Sequence, residues 1–318
     1  MIDIERDSRL IHKVIREIKT NMIGKDDCIY KIMAAILAGG HILIDDIPGV
    51  GKTSLAMTAA RVLGLESRRM QFTSDVLPSD VVGFSMYNKE TGRFEYQPGT
   101  IMCNLFLADE INRTSPKTQS ALLEAMEERK VTVDGTTMML PRPFVVMATQ
   151  NPVGSVGTQM LPESQIDRFM VCLSIGYPSL DQEIAIVSRK RMDEQISEVH
   201  AVLADGELTE LQEKVKEVYV HDVMYRYICT LSQTSREHSM VDLGVSPRGT
   251  IALVSIAKAV ALMEGREYVS PQDVEKIFLD TTAHRLVLNS KARSAKMDAA
   301  AVAQQIFDKV KKPRVTGV

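Results

Sequence analysis

Tryptophan is absent from this 318-residue sequence, aromatic residues make up only 5% of it, and cysteine occurs four times. A core without tryptophan must be filled by aliphatic side chains, and the 18 methionines serve as flexible fillers for irregular gaps. The cysteines Cys28, Cys103, Cys172 and Cys229 are scattered without any Cys-x-x-Cys pair. That spacing excludes a zinc site or a disulfide framework and suits a reducing, cytoplasmic setting. Long apolar runs are also missing. The stretch from Ile251 to Met263 is interrupted by Lys258 and is too short to span a bilayer, so it reads as a buried helix. The start, MIDIERDSRL, lacks the basic-then-apolar layout of an export signal. Charge of one sign is lacking too: 38 Lys+Arg stand against 41 Asp+Glu, a net −3 that provides no general attraction to nucleic acid or an anionic membrane. The short clusters Arg189-Lys190-Arg191 and Lys311-Lys312 read as solvated faces.

What is present is an ordinary globular composition, 45% hydrophobic and 25% charged, over a length that suits two domains. Leu10, Ile11, Val14 and Ile18 recur at helical spacing, and a second amphipathic run covers 27–38. HILID (41–45), 104–108 and 144–148 read as short buried strands. Thr114-Ser115-Pro116 starts a helix with Leu122, Leu123 and Met126 on one face. Two hairpins are expected, one around Asn88–Gly92 within 84–96 and one around Asp134-Gly135 within 131–140. Strands alternating with helices predict an α/β domain with a mostly parallel sheet covered on both faces. The pattern changes at Gly176-Tyr177-Pro178. Beyond it only helical periodicity is found, with Ser270-Pro271 capping a helix whose buried stripe is Val274, Ile277 and Phe278. The expected division is therefore 1–178 for the α/β core and 179–318 for an all-α helical domain.

The chemistry-bearing motifs fall at strand ends. In DDIPGVGKTS, Pro48, Gly49, Val50, Gly51, Lys52, Thr53 and Ser54 lie between a buried strand and an apolar helical run. Such a loop turns successive N–H groups toward phosphates, adds a helix N-terminus, and supplies Lys52 for the β and γ oxygens and Thr53 for magnesium. The strict pattern G-x-x-x-x-G-K-[ST] fails at its first position, which is Asp46. LFLADE places Asp109 and Glu110 at the exit of a second strand. Taken alone they could be solvated carboxylates; beside a phosphate loop they read as a water-mediated magnesium ligand and a residue that polarises the attacking water. VVMATQNP ends a third strand with Asn151, which could orient that water or simply form the turn before Pro152. Arg168 in LPESQIDRFM and Arg248 in GVSPRG could each be a surface ion pair.

Taken in order, GVGKT, LADEINR, ATQNP, LPESQIDRF and GVSPRG resemble the AAA+ ATPases, and within them the MoxR family, over nearly the whole chain. PGVGKT, LADEINRTSPKTQSALLEAMEE and LPESQIDRF are the most specific segments, and Asp46 looks like this family's own variation of the loop. The resemblance implies a P-loop NTPase (AAA+) αβα sandwich followed by a small helical lid. It implies ATP and Mg2+ as cofactors, Lys52 and Thr53 as Walker A, Asp109 and Glu110 as Walker B, and Asn151 as sensor 1. Arg168 would be the arginine finger and Arg248 sensor 2. A finger acting in trans implies a homo-oligomeric ring, usually a hexamer, with the hairpins lining its pore. Adenine is expected against the backbone near Met22, Ile23 and Gly24. The family implies a chaperone-like role on client proteins, commonly with a von Willebrand factor A domain partner. A metal-chelatase ATPase subunit and a DNA-dependent motor are the alternatives. The first is weakened by LPESQIDRF and GVSPRG, and the second by the lack of a basic stripe. A transcription activator would need a GAFTGA-like loop, which is not found, and a non-hydrolysing switch sits poorly with Glu110, Asn151 and Arg168 together.

Overall fold

The computed structural model describes residues 4–151, 159–191 and 199–313, with side chains at 189–191 left undescribed. Two helices lead in, α1 (Ile4–Asn21) and α2 (Asp26–Leu37). The α/β part then runs β1 (Ile42–Asp45), α3 (Lys52–Val62), β2 (Ser67–Gln71), α4 (Pro78–Val82), β3 (Gly83–Asn88), β4 (Arg93–Pro98), β5 (Leu105–Asp109), α5 (Pro116–Glu128), β6 (Lys130–Val133), β7 (Thr136–Met139), β8 (Val145–Gln150), α6 (Glu163–Ile166) and β9 (Val171–Leu173). The remainder is α7 (Leu180–Arg191), α8 (Glu207–Glu217), α9 (Asp222–Arg236), β10 (Val241–Leu243), α10 (Pro247–Met263), α11 (Pro271–Thr282), β11 (Val287–Leu288), α12 (Ser290–Ser294) and α13 (Ala299–Lys309).

Five strands form one sheet in the order β2-β5-β8-β1-β9, every neighbouring pair parallel. The central strands β5 and β8 are buried throughout, which is why they read as unbroken apolar runs. Because the strands are parallel, all carboxyl ends lie on one edge of the sheet. The chain leaving β1 crosses to the far edge strand β2, and such reversals of strand order are where ligands bind in doubly wound sheets. One face packs on α1, α2, α3 and the lid helices in a single apolar cluster; the other face carries α4 and α5 with Phe72, Phe106, Phe144 and Phe169. The first cluster takes in Ile11 and Ile32 together with Ile256 and Val260, so the core and lid share one interior.

Both expected hairpins form. β3 pairs with β4, and β6 with β7, where Asp134 and Gly135 both adopt positive φ at the turn. Helices α5 and α11 begin at the expected Ser-Pro caps, where Ser115 accepts from the Thr118 N–H and Ser270 forms a capping box with Asp273; α10 begins at a further one, with Ser246 accepting from Gly249. The expectation of a purely helical C-terminal part is corrected: β10 and β11 pair antiparallel in a small ribbon. Strands of three and two residues are too short to show alternation. β2 was also not foreseen, because SRRMQ is polar at an exposed sheet edge.

Candidate active site

The phosphate loop follows β1, and its helix α3 begins at Lys52 with Gly51 as the N-cap at φ 94°. Gly49 has φ 85°, and a Cβ there would meet nothing within 4 Å. Both glycines therefore serve backbone conformation, leaving the concave side of the loop open to a ligand. Pro48 and Ser54 are exposed, Val50 and Thr53 half-buried, and Lys52 is buried. The Lys52 Nζ donates to the backbone oxygens of Asp46 (2.6 Å) and Gln150 (3.4 Å) and to Asn151 Oδ1 (3.2 Å). Burial lowers its pKa, while the carboxylates of Asp46, Asp109, Asp45 and Glu110 pull the other way.

At the end of β5, Asp109 Oδ2 lies 3.3 Å from the Thr53 hydroxyl, and Oδ1 accepts a 2.6 Å hydrogen bond from Thr149. Thr149 Oγ1 in turn accepts the Glu110 N–H at 2.9 Å. Glu110 itself sits at φ 57°, a left-handed conformation costly for a residue with a Cβ and typical of functional turns. Its carboxylate accepts from Asn151 Nδ2 (3.0 Å) and Arg113 (2.8 Å). Lys52, Thr53, Asp109, Glu110 and Asn151 thus form one hydrogen-bonded cluster at the carboxyl edge of the sheet. Thr53 and Asp109 offer hard oxygen donors facing the loop, a set that fits Mg2+ held largely by phosphates and water.

Three participants have contacts that the sequence does not show, and of them only Asp46 is noted there, as the departure from the strict loop pattern. Arg69 of β2 donates from Nε and a terminal nitrogen to Asp109 Oδ2, at 3.2 and 2.8 Å. Asp46 occupies the position where the strict loop pattern has glycine. Its Oδ2 accepts the N–H groups of Ile175 (2.5 Å) and Gly176 (2.6 Å) and the Ser174 hydroxyl (3.1 Å). Burial alone would raise its pKa, but these donors outweigh it and hold the carboxyl below the usual range. Asp46 thereby fastens the phosphate loop to the turn that leads into α7. The third is Glu127, described below.

The expected adenine region also meets that turn. Met22 lies where a Cβ on Gly51 would come within 3.6 Å, and a Cβ on Gly24 would be 2.1 Å from Gln182 of α7. Ile23 is half-buried between them. Lys25 locks the segment by donating to the carbonyls of Ile175 (3.1 Å) and Gly176 (2.8 Å).

Arg168 and Arg248 are elsewhere. Arg168 Nε is 2.9 Å from Glu127 Oε2, and Arg248 donates to Glu127 Oε1. Arg168 precedes β9 and His41 precedes β1, with the Met170 N–H bonded to the His41 carbonyl. The arginine pair therefore lies at the amino edge of the sheet, a strand length of about 13 Å from the phosphate loop. Asp167, between α6 and Arg168, accepts from Ser246 (2.8 Å) and from the buried Arg285 (2.8 Å), tying both arginine-bearing segments together. His41 supports them from below. Its Nδ1 accepts the Val146 N–H at 3.0 Å, so the neutral ring carries its proton on Nε2, 3.1 Å from the Met126 carbonyl.

A parallel sheet with this loop, these strand-end carboxylates and a following lid defines a P-loop ATPase of the AAA+ class. The family described as "ATPase family associated with various cellular activities (AAA)" matches residues 41–171, and the "AAA lid domain" matches 233–309. The uncharacterized protein YeaC of Bacillus subtilis is 48% identical over 304 residues, 96% of this chain and 95% of its own. Chaperone MoxR1 of Mycobacterium tuberculosis is 37% identical over 317 residues, covering 97% and 84% respectively. A solved structure of a candidate ATPase from Cytophaga hutchinsonii superposes with a TM-score of 0.90 at 34% identity, over 98% of this chain and 97% of the other. The chain belongs to the MoxR family of AAA+ ATPases.

Proposed function

We propose that this chain hydrolyses ATP at a site completed by a second copy in a homo-oligomeric ring, and that it uses the resulting motion to remodel client proteins. One observation carries the reading: Lys52, Thr53, Asp109, Glu110 and Asn151 are hydrogen-bonded together at one edge of the sheet, while Arg168 and Arg248 share Glu127 at the other. No bending of side chains brings those arginines to their own chain's phosphates. A neighbour's pair can reach them, and this supports Arg168 as the finger with Arg248 beside it in trans.

Lys52 exchanges its carbonyl partners for the β and γ oxygens of ATP, and the loop N–H groups hold the rest of the phosphates. Thr53 and Asp109 would hold Mg2+, which neutralises phosphate charge. Glu110 polarises the attacking water, with Asn151 fixing its carboxylate. The neighbour's guanidiniums then balance charge on the transferring phosphoryl group. Met22, Ile23 and Gly24 border the base with the first turn of α7. We assign 1–178 to the core and 179–318 to the lid, with cytoplasmic location, six subunits and a von Willebrand factor A domain partner as the expected setting. A chaperone role is supported by the name of MoxR1.

Steady-state phosphate release across protein concentration tests the reading. Turnover per subunit should rise with concentration, and Glu110→Gln should bind ATP but lose turnover by roughly 100-fold or more, in line with removal of one transition-state group. Normal hydrolysis by Glu110→Gln would remove Glu110 from the chemistry.

A further inference from the structure

Helix α5 carries an acid where its own geometry disfavours one. Glu127 and Glu128 occupy its last turn, which holds no basic residue, and the negative end of a helix dipole repels carboxylates. Glu128 is answered locally by Lys130 at 3.2 Å. Glu127 finds its cations off the helix: its two oxygens go to Arg168 and Arg248, which arrive from separate segments of the chain.

The backbone that carries Glu127 is fixed. The Met126 carbonyl lies 3.1 Å from His41 Nε2, Arg129 donates to the Gly39 carbonyl at 2.7 Å, and the Leu140 N–H donates to the Arg129 carbonyl at 3.0 Å. The last turn of α5 is thereby held against the start of β1.

The carboxylate takes the arginines by their inner edges. Arg168 meets it through the buried Nε at 2.9 Å, and among the described residues its two terminal nitrogens donate to nothing. Those terminal nitrogens form the fork that grips phosphate oxygens. Arg248 reaches the other oxygen through one terminal nitrogen, and its side chain is otherwise exposed. Two guanidiniums placed side by side repel, and a carboxylate shared between them offsets that repulsion without covering their outer donors.

We propose that Glu127 is a positioning residue for the shared site: it holds Arg168 and Arg248 as a pair and presents their outer donors to the neighbour's phosphates. The proposal rests on the ring reading above and adds what aims the arginines. Glu127 lies with the arginines at the amino edge of the sheet, so it touches no phosphate of its own chain and acts only through them. A defect at Glu127 therefore belongs to the copy that offers the arginines, not to the copy that binds ATP.

Glu127→Gln keeps the shape and removes the charge. Glu127 is exposed, and a surface ion pair contributes little to stability, so the variant should melt close to wild type. In full-length protein assembled with ATP, kcat should fall roughly 10- to 100-fold, the scale of misplacing a reacting group rather than deleting it, with KM for ATP unchanged. Mixing then maps the defect. Combined with Lys52→Ala, whose Glu127 and arginines are intact, Glu127→Gln should regain turnover; combined with Arg168→Ala it should not, since neither copy presents a working pair. Recovery with Arg168→Ala, or with neither partner, while Lys52→Ala and Arg168→Ala restore each other, would overturn the role of Glu127 and leave the ring standing. Undiminished kcat in Glu127→Gln would overturn it too, and a raised kcat would make the carboxylate a brake. A variant that no longer assembles, or that melts far below wild type, would make Glu127 a structural residue and contradict the proposal. If Lys52→Ala and Arg168→Ala fail to restore each other although co-assembled, the shared site falls and the proposal with it.

Discussion

At the residue scale, Lys52 is held ready by oxygens alone: two backbone carbonyls and the Asn151 amide. On the proposed reading Lys52 is the cation that meets the phosphates, so in Lys52→Ala ATP binding measured by fluorescence titration should be lost, with the thermal midpoint little changed. Unchanged affinity would contradict the assignment. His41 gives a pH prediction. Burial holds its pKa down at about 4, against about 6.5 in the unfolded chain. The unfolded state therefore binds the extra proton first as pH falls. Stability from the neutral ring is full above about pH 6.5 and is lost between there and about 4, amounting to roughly 3 kcal/mol. Half-buried His284 is shifted in the same direction. Denaturant midpoints from pH 7 to 4 should fall more steeply for wild type than for His41→Gln; parallel slopes would contradict this. Most of the residues that cluster at the carboxyl edge of the sheet were legible from the sequence because they sit within a few positions of a buried strand's end. The partners Arg69, Asp46 and Glu127 were not, since their meaning depends on contacts such as Asp46 to residues 174–176, some 130 positions away.

At the scale of elements, the β3–β4 hairpin stands out from the core with Phe94 74% exposed and its ring 5.4 Å from that of Tyr87. An exposed aromatic ribbon is costly to display and suits contact with another protein. Its base is set by a glycine whose role is steric: a Cβ on Gly99 would lie 2.1 Å from the Val81 carbonyl. Gly99→Ala should cost roughly 1–3 kcal/mol by forcing the backbones apart. Gly135→Ala, at a turn where a Cβ meets nothing, should cost only the left-handed strain of about 1 kcal/mol. Thermal melts of the two variants should separate them, and equal midpoints would show that the hairpin base yields. The hairpins and caps were readable because turn chemistry is local. Strand β2 was not, because an edge strand with polar residues loses the periodicity that marks buried ones.

At the scale of the molecule, the core and lid are joined through a buried ion pair. Arg285 donates to Asp167 and to the carbonyls of Asp167, Phe169, Met170 and Thr281, while Asp167 also holds Ser246 beside Arg248. Asp167→Ala leaves that guanidinium buried with its carbonyl acceptors but without a counter-charge, which should cost about 3–5 kcal/mol. The same change should slow turnover even in cooled protein that remains folded, because Arg168 and Arg248 lose their common mount. Full activity in folded Asp167→Ala would show that the arginines need no such support. No described helix is long and apolar enough to cross a membrane.

The central claim is that the arginines of one copy serve the phosphates of the next. Mixing two inactive variants tests it: Lys52→Ala keeps the arginine pair but cannot bind ATP, and Arg168→Ala binds ATP but lacks the finger. Phosphate release from the mixture should recover a substantial part of wild-type turnover, through sites of the second variant placed against arginines of the first. A mixture no more active than either variant alone, under conditions where both assemble together, would contradict a shared site.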